Sequence, residues 1–259
     1  SAKMSAFALG QINSSRSPFY LNQKLNEVLN DDNKTLLIME IVNSLSKTGN
    51  EEDLNVLTKV NSENRLINSA IAMAIARFGM RKIKNDAGFR KLAELFEQSA
   101  DSTLRRNVIF AFNRIGDKDA LIAYNTELVI SATSPDPIAR MWAFSSLGKQ
   151  QDTSSIEFLL EALAKDNDWR VKVSIINALG NYKIDMNSPL LDKTVNALVD
   201  LAVKDPSVHV SIVSWQALGK IFAGADTRNP FARKIQQEIL FITAPGKEYD
   251  WKIIAEAIR

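Results

Sequence analysis

The stretch Trp169-Arg170-Val171-Lys172-Val173-Ser174-Ile175-Ile176-Asn177-Ala178-Leu179-Gly180 decides the fold. Val171, Ile175, Ala178 and Leu179 recur at i, i+4, i+7 and i+8, one face of a 3.6-residue period, so the segment reads as an amphipathic helix. Ala139, Ala143, Ser146 and Leu147 fill the same slots one unit earlier. The helix closes on an apolar residue plus Gly, and that closing phrase is repeated. It stands at Ala8-Leu9-Gly10, Arg77-Phe78-Gly79, Arg114-Ile115-Gly116, Ser146-Leu147-Gly148, Ala178-Leu179-Gly180 and Ala217-Leu218-Gly219, with a degenerate copy at Ser44-Leu45-Ser46. The anchors are spaced by 36, 33, 37, 32, 32 and 39 residues, a period that belongs to repeat architectures. Gly at a helix end is expected in the left-handed region, which it occupies at little cost.

Between each anchor and the next such helix lies a second apolar stripe. Ile156, Leu159, Leu160 and Leu163 form one, and Leu191, Val195, Leu198, Val199 and Ala202 another. Pro18, Pro189 and Pro230 stand near the starts of these helices, where a missing amide proton is harmless. Pro135, Pro137, Pro206 and Pro245 fall in turns between paired helices. No segment alternates with a two-residue period and hairpin chemistry, so no strands are expected. The pattern predicts helices over 1–9, 17–30, 33–47, 51–61, 65–78, 87–99, 103–115, 119–133, 137–147, 154–165, 169–179, 189–204, 207–222, 229–243 and 249–259. Paired antiparallel helices of this kind bury their apolar faces on their neighbours and stack into a solenoid.

The phrase Asp166-Asn167-Asp168-Trp169-Arg170-Val171-Lys172, followed by Ile175-Ile176-Asn177-Ala178-Leu179-Gly180, resembles a HEAT repeat: an Asp, then Val next to a cation, then an Ala-containing helix ending in Leu-Gly. The likeness covers nearly the whole chain and is strongest from 101 to 221. It implies an all-α fold, a right-handed superhelix of about seven repeats running as one solenoid over residues 1–259. It also implies that the second helix of each pair lines a concave surface. Ala6-Phe7-Ala8-Leu9-Gly10-Gln11, Asp168-Trp169-Arg170-Val171-Lys172-Val173 and Val208-His209-Val210 are further similar to phrases in large bacterial proteins in which a HEAT array precedes a cyclophilin-type peptidyl-prolyl isomerase domain. The catalytic phrases of that domain have no counterpart here. The first helix opens only nine residues before Gly10, and Trp251 occupies the slot of Trp169 with no Gly following before Arg259. The expectation is a fragment ending inside repeats, with an adjoining domain of the same chain.

Composition narrows the chemistry. With 46% hydrophobic and 24% charged residues the chain is built to fold. Cysteine is absent and His209 is the single histidine, which excludes thiolate chemistry and multi-histidine metal sites. No cofactor, metal site or catalytic residue is expected, and no apolar run is long enough to span a bilayer. Lys and Arg total 32 against 30 Asp and Glu, and the charge is balanced in each half of the chain. This argues against a nucleic-acid module, which needs cations through several repeats. The partner expected instead is a protein or extended peptide in the concave groove.

One local bias remains. Arg77, Arg81, Lys82, Arg105, Arg106 and Arg114 gather in two adjacent units and are the candidate partner-binding residues, for an acidic segment or a phosphate; a nucleic-acid module using residues 77–114 is the alternative. Three carboxylate–cation pairs, Asp101 with Arg105, Asp136 with Arg140 and Asp168 with Lys172, recur at i, i+4 and read as a structural ladder of caps and ion pairs. Trp142 and Trp215 read as core, and Trp169 and Trp251 as packed in turns. The sequons at Asn13 and Asn33 carry little weight.

Overall fold

The structure is a computed structural model that describes residues 1–12, 14–98, 100–223 and 229–259. Asn13, the acceptor of the first sequon, lies outside the described residues, as does Ser99 at the end of the helix expected over 87–99. Among the described residues there are sixteen α-helices and no strand: α1 (Ala2–Leu9), α2 (Arg16–Val28), α3 (Thr35–Thr48), α4 (Glu51–Thr58), α5 (Arg65–Met80), α6 (Asp86–Glu97), α7 (Ser102–Ile115), α8 (Lys118–Ala123), α9 (Asn125–Ala132), α10 (Pro137–Gln150), α11 (Ile156–Lys165), α12 (Trp169–Asn181), α13 (Pro189–Lys204), α14 (Val208–Ile221), α15 (Pro230–Ile242) and α16 (Trp251–Ile258). The chain divides into two compact units, residues 1–143 and 144–259.

Each unit is a run of α-solenoid. In residues 1–143, α2 pairs with α3, α4 with α5 and α6 with α7 as hairpins. Their first helices stack as α2, α4, α6 and their second helices as α1, α3, α5, α7. In residues 144–259 the pairs are α11–α12, α13–α14 and α15–α16, with α11, α13, α15 in one layer and α12, α14, α16 in the other. The periodic slots form the core between layers. Val171, Ile175 and Leu179 are fully buried, as are Ile71 and Phe78 of α5, and Val108 and Phe112 of α7. Side chains of the turns start the helices: the carboxylate or amide oxygens of Asn50, Asn64, Asn85, Asp101 and Asp168 accept from amides in the first turns of α4, α5, α6, α7 and α12. Pro189 and Pro230 occupy the first helical turn, as their chemistry favours.

Two expectations change. The helix foreseen over 119–133 is two helices, α8 and α9, interrupted at Tyr124. There the ring lies parallel to Phe89, with centroids 5.8 Å apart, and 5.0 Å from Phe112. The break coincides with an aromatic cluster whose packing outweighs helical continuity. The anchor glycines also act differently from the expected left-handed caps. Gly10 is right-handed and Gly116 extended, while Gly79, Gly148, Gly180 and Gly219 lie inside helices; among the described residues the one glycine with positive φ is Gly246. Four of the six, Gly10, Gly79, Gly148 and Gly180, serve close approach to the next second helix, whereas Gly116 faces Leu121 and Gly219 faces open space. A methyl group on Gly148 would sit 2.8 Å from Cα of Ala178, and one on Gly79 would sit 2.9 Å from Cα of Ile115. Successive second helices therefore touch nearly backbone to backbone at the anchor.

Polar links reinforce this contact. Ser44 Oγ donates to the Ala6 carbonyl at 2.9 Å, joining α3 to α1 in a buried position. The Tyr182 hydroxyl donates to the Leu147 carbonyl at 3.0 Å, and burial holds that phenol at about 12.

The glycine contacts give a direct test. Gly79→Ala and Gly148→Ala should each destabilise by about 1–3 kcal/mol in urea unfolding, because backbone must move. Gly219→Ala, whose new methyl meets nothing within 4 Å, should stabilise by roughly 0.5–1 kcal/mol through helix propensity alone. Equal effects at the three positions would remove the close-approach argument.

Candidate functional site

The six candidate cations are distributed among several structural tasks. Arg77 Nη1 donates to Ser46 Oγ at 2.9 Å and to the side-chain oxygen of Asn43, tying α5 to α3. Arg81 donates to the carbonyls of Ser46 at 3.0 Å and Gly49 at 2.7 Å, so its guanidinium caps the C-terminus of α3. Lys82 lies just past α5 with φ of 62°, in the left-handed conformation that glycine usually supplies. The Ile83 amide donates to the Phe78 carbonyl and the Lys82 amide to the Gly79 carbonyl, both at 2.9 Å, which completes the helix stop. Arg105 stacks over Phe96 of α6 at 5.1 Å, toward the first-helix layer. Arg106 reaches Asp136 at 3.5 Å. Arg114 covers both Phe110, at 4.9 Å, and Trp142, at 5.1 Å.

The carboxylate ladder is real but runs across hairpins. Arg65 Nη1 meets Asp101 at 3.1 Å, Arg106 meets Asp136 and Lys172 Nζ meets Asp205 at 2.7 Å. Each cation comes from one second helix, and each Asp from the turn that opens the next. Lys172 thus bypasses Asp168, the partner expected from the i, i+4 spacing, because Asp168 is taken by Arg170 from two residues away. Asp205 is 3% exposed at its side chain, so this link is the most shielded of the three.

Charge is sorted by layer. In residues 1–143 the second helices α1, α3, α5 and α7 carry seven cations and one carboxylate, Glu40. The first helices α2, α4, α6, α8 and α9 carry five cations and nine carboxylates. Balance along the chain, used above against a charged site, conceals this separation across it.

The second-helix face also holds a depression of about 290 Å³. Its floor is Leu36, Met39, Ala70 and Met73, and its rim Lys3, Glu40, Asn43 and Arg77. Leu36 is 63% exposed and Met73 37%. Phe7 of α1, 44% exposed, lies under Lys47 of α3, at 5.5 Å. Phe110 meets Trp142 edge-on at 5.0 Å farther along the face, so Trp142 is half-buried under Arg114 rather than core. Only Arg77 of the six candidates lines the depression. Lys3, which sequence reasoning missed, joins it there, and Lys47, also missed, lies over Phe7 on the same layer of helices. Their signal was available in the register, because each lies on the same helix class as Arg77. A second depression of about 460 Å³ holds the buried Lys91, whose ammonium already donates to Asn61 at 3.0 Å and Glu94 at 2.9 Å.

Elsewhere, Trp215 is buried as expected, at 5% exposure. Trp169 and Trp251 are largely exposed rather than packed in turns; Trp169 stacks on His209 with centroids 5.0 Å apart, linking the starts of α12 and α14. Among the described residues no cluster of three or more His, Cys, Asp or Glu can hold a metal, and no helix is long and apolar enough to cross a membrane.

Comparison with known proteins places this geometry. The family profile described as HEAT repeats matches residues 89–180 and 156–233, together more than half of the chain. No curated protein matches. Among solved structures the chain is similar to the crystal structure of an engineered protein from the Northeast Structural Genomics Consortium, with a TM-score of 0.61 and 19% identity. The likeness covers 92% of this chain and 66% of that one, so the chain spans just under two thirds of that structure's length.

Two predictions follow from the caps. Arg170 grips Asp168 through Nε at 3.0 Å and Nη2 at 2.7 Å, and holds its carboxyl at about 2 against an ordinary 3.8. The depressed carboxyl stabilises the fold above its unfolded value and loses that contribution as pH falls through about 2. Asp168→Asn should remove this acid-dependent loss between about pH 4 and pH 2 and cost about 1 kcal/mol at neutral pH, Arg170 being partly solvated. An unchanged acid limb in pH-dependent unfolding would contradict the assignment. Lys82→Gly should stabilise by about 0.5–1 kcal/mol, since it relieves a left-handed non-glycine residue; destabilisation in urea unfolding would count against that.

Proposed function

The chain belongs to the family of HEAT repeats, which generally serve as protein-interaction scaffolds, and from that premise we propose that it is a non-catalytic scaffold engaging a protein or extended peptide. The observation that carries the reading is the second-helix face of residues 1–143, where Leu36 and Met73 stay exposed in a depression instead of joining the core. An exposed apolar patch rimmed by polar side chains is the signature of an interaction site. Methionines on its floor suit it to a variable ligand, because their side chains repack readily. The resemblance to HEAT repeats implies that this face is concave, and in this reading the ligand lies in the groove so formed.

The similarity of Ala6-Phe7-Ala8-Leu9-Gly10-Gln11 and its companion phrases to arrays preceding isomerase domains supports a more specific form. In it, residues 1–259 recruit substrates for a larger bacterial enzyme, a peptidyl-prolyl isomerase, whose chemistry resides in an adjoining domain. No residue of this chain is assigned a catalytic role.

Backbone resonance mapping with extended and proline-rich peptides of about ten residues tests the scaffold. Binding should shift residues of α3, α5 and α7 on the second-helix face, and Met73→Asp should weaken it at least about tenfold, as for an anchor in an apolar site. Shifts confined to the first helices, or no binding by any peptide, would overturn this reading.

A further inference from the structure

We infer that the partner segment is acidic, with one apolar side chain seated on Leu36, Met39 and Met73 and carboxylates lying against Lys3, Lys47, Arg77 and Arg114. The inference rests on the scaffold reading and adds the chemistry of the ligand.

Neutralisation on this face is selective. Cations at the N-terminal ends of the second helices meet carboxylates of the next turn, as Arg65 meets Asp101 and Arg106 meets Asp136. Lys3, Lys47, Arg77 and Arg114 have no carboxylate partner among the described residues. Lys47 and Arg114 lie instead over aromatic rings. Arg77 is held through one Nη by Asn43 and Ser46, which leaves its other Nη and Nε without a protein partner among the described residues. A guanidinium fixed at one edge and open at the other is prepared to receive a carboxylate at low entropic cost.

Helix dipoles explain part of this placement. Lys47, Arg77 and Arg114 stand in the last turns of their helices, where a cation is favoured. That account does not explain Leu36, with nearly two thirds of its surface in water in a depression lined by Lys3 and Arg77. A ligand carrying both an apolar group and negative charge satisfies all of these residues together.

A protein segment suits the site better than nucleic acid. Phosphate tracking needs a continuous run of cations with aromatic platforms between them. Here Lys3 and Arg77 line an aliphatic and methionine floor, and Glu40 stands in the same lining. The depression is near the lower end of ligand-pocket volumes, roughly 300 Å³, which is room for one large side chain.

The test uses the 259-residue chain and four labelled probes in fluorescence anisotropy: a ten-residue peptide with two leucines among glutamates, its glutamine counterpart, its lysine counterpart and a single-stranded oligonucleotide. The acidic peptide should bind at least about tenfold tighter than the glutamine peptide and weaken as salt screens the contacts. Lys3→Glu and Lys47→Glu, neither of which makes a hydrogen bond in the fold, should each weaken it by about threefold to tenfold. Met73→Ser should weaken it too, while Lys204→Glu on α13 should leave it unchanged. If the glutamine peptide binds equally well at this face, the acidic chemistry is wrong and the scaffold stands. If none of the four probes binds, and the extended and proline-rich peptides also fail, both readings fall. Oligonucleotide binding that matches the acidic peptide and is indifferent to Met73→Ser would replace the inference with a nucleic-acid interface.

Discussion

Two helices approach to near backbone contact where one of them presents a glycine, and that restriction governs the layer of second helices. Gly148 lies against Ala178, and Gly180 against Ala217. In both contacts the glycine of one closing phrase meets the alanine two residues before the glycine of the next. The same offset brings Gly10 against Ser44, with serine replacing alanine. A contact of this kind fixes both the rotation and the height of each helix on its neighbour, because a slip of one residue puts a branched side chain into the gap. With height fixed, the turn opening one second helix arrives beside the first turns of the previous one. That is why Asp101 and Asp136 come within reach of Arg65 and Arg106, and Asp205 within reach of Lys172.

The ladder of ion pairs is thus a consequence of the packing rather than its cause. Exposed pairs contribute little, about 0.2–1 kcal/mol each, whereas a buried leucine or isoleucine contributes several-fold more. The pairs do determine where charge is left over. They consume Arg65, Arg106 and Lys172 near the starts of second helices and leave Lys47, Arg77 and Arg114 near the ends. Net charge, at +2, gives no hint of this, because the compensating carboxylates sit on the other layer.

Much of the architecture was legible in the periodicity. Val171, Ile175 and Leu179 were assigned to a buried face by spacing alone and are fully buried. The recurrence of Leu-Gly located the repeat, but its physical meaning lay in a neighbour some 30 residues away. Local propensity suggests a left-handed cap, and only the packed structure reveals a missing methyl. Tyr124 escaped for a similar reason: the apolar pattern through 119–133 is continuous, and the break coincides with stacking on Phe89 and Phe112 from earlier in the chain. Pairing of Asp168 with Lys172 was the natural reading at i, i+4. It failed because two competing partners, Arg170 and Asp205, were nearer once the hairpins stacked.

The candidate site was legible in part, and the limit is instructive. Clustering cations by position in the chain selects Arg81 and Lys82, which end helices, and Arg105, which covers Phe96. Sorting cations by helix class, and setting aside Arg65 and Arg106, which meet carboxylates, and Arg105, which covers Phe96, selects Lys3, Lys47, Arg77 and Arg114. In a solenoid the relevant neighbour of a surface residue is one repeat away, not one residue away. Electrostatics built on such a lattice is read with a period of about 35 residues, and a sequence that looks neutral along its length can present a charged face to a partner.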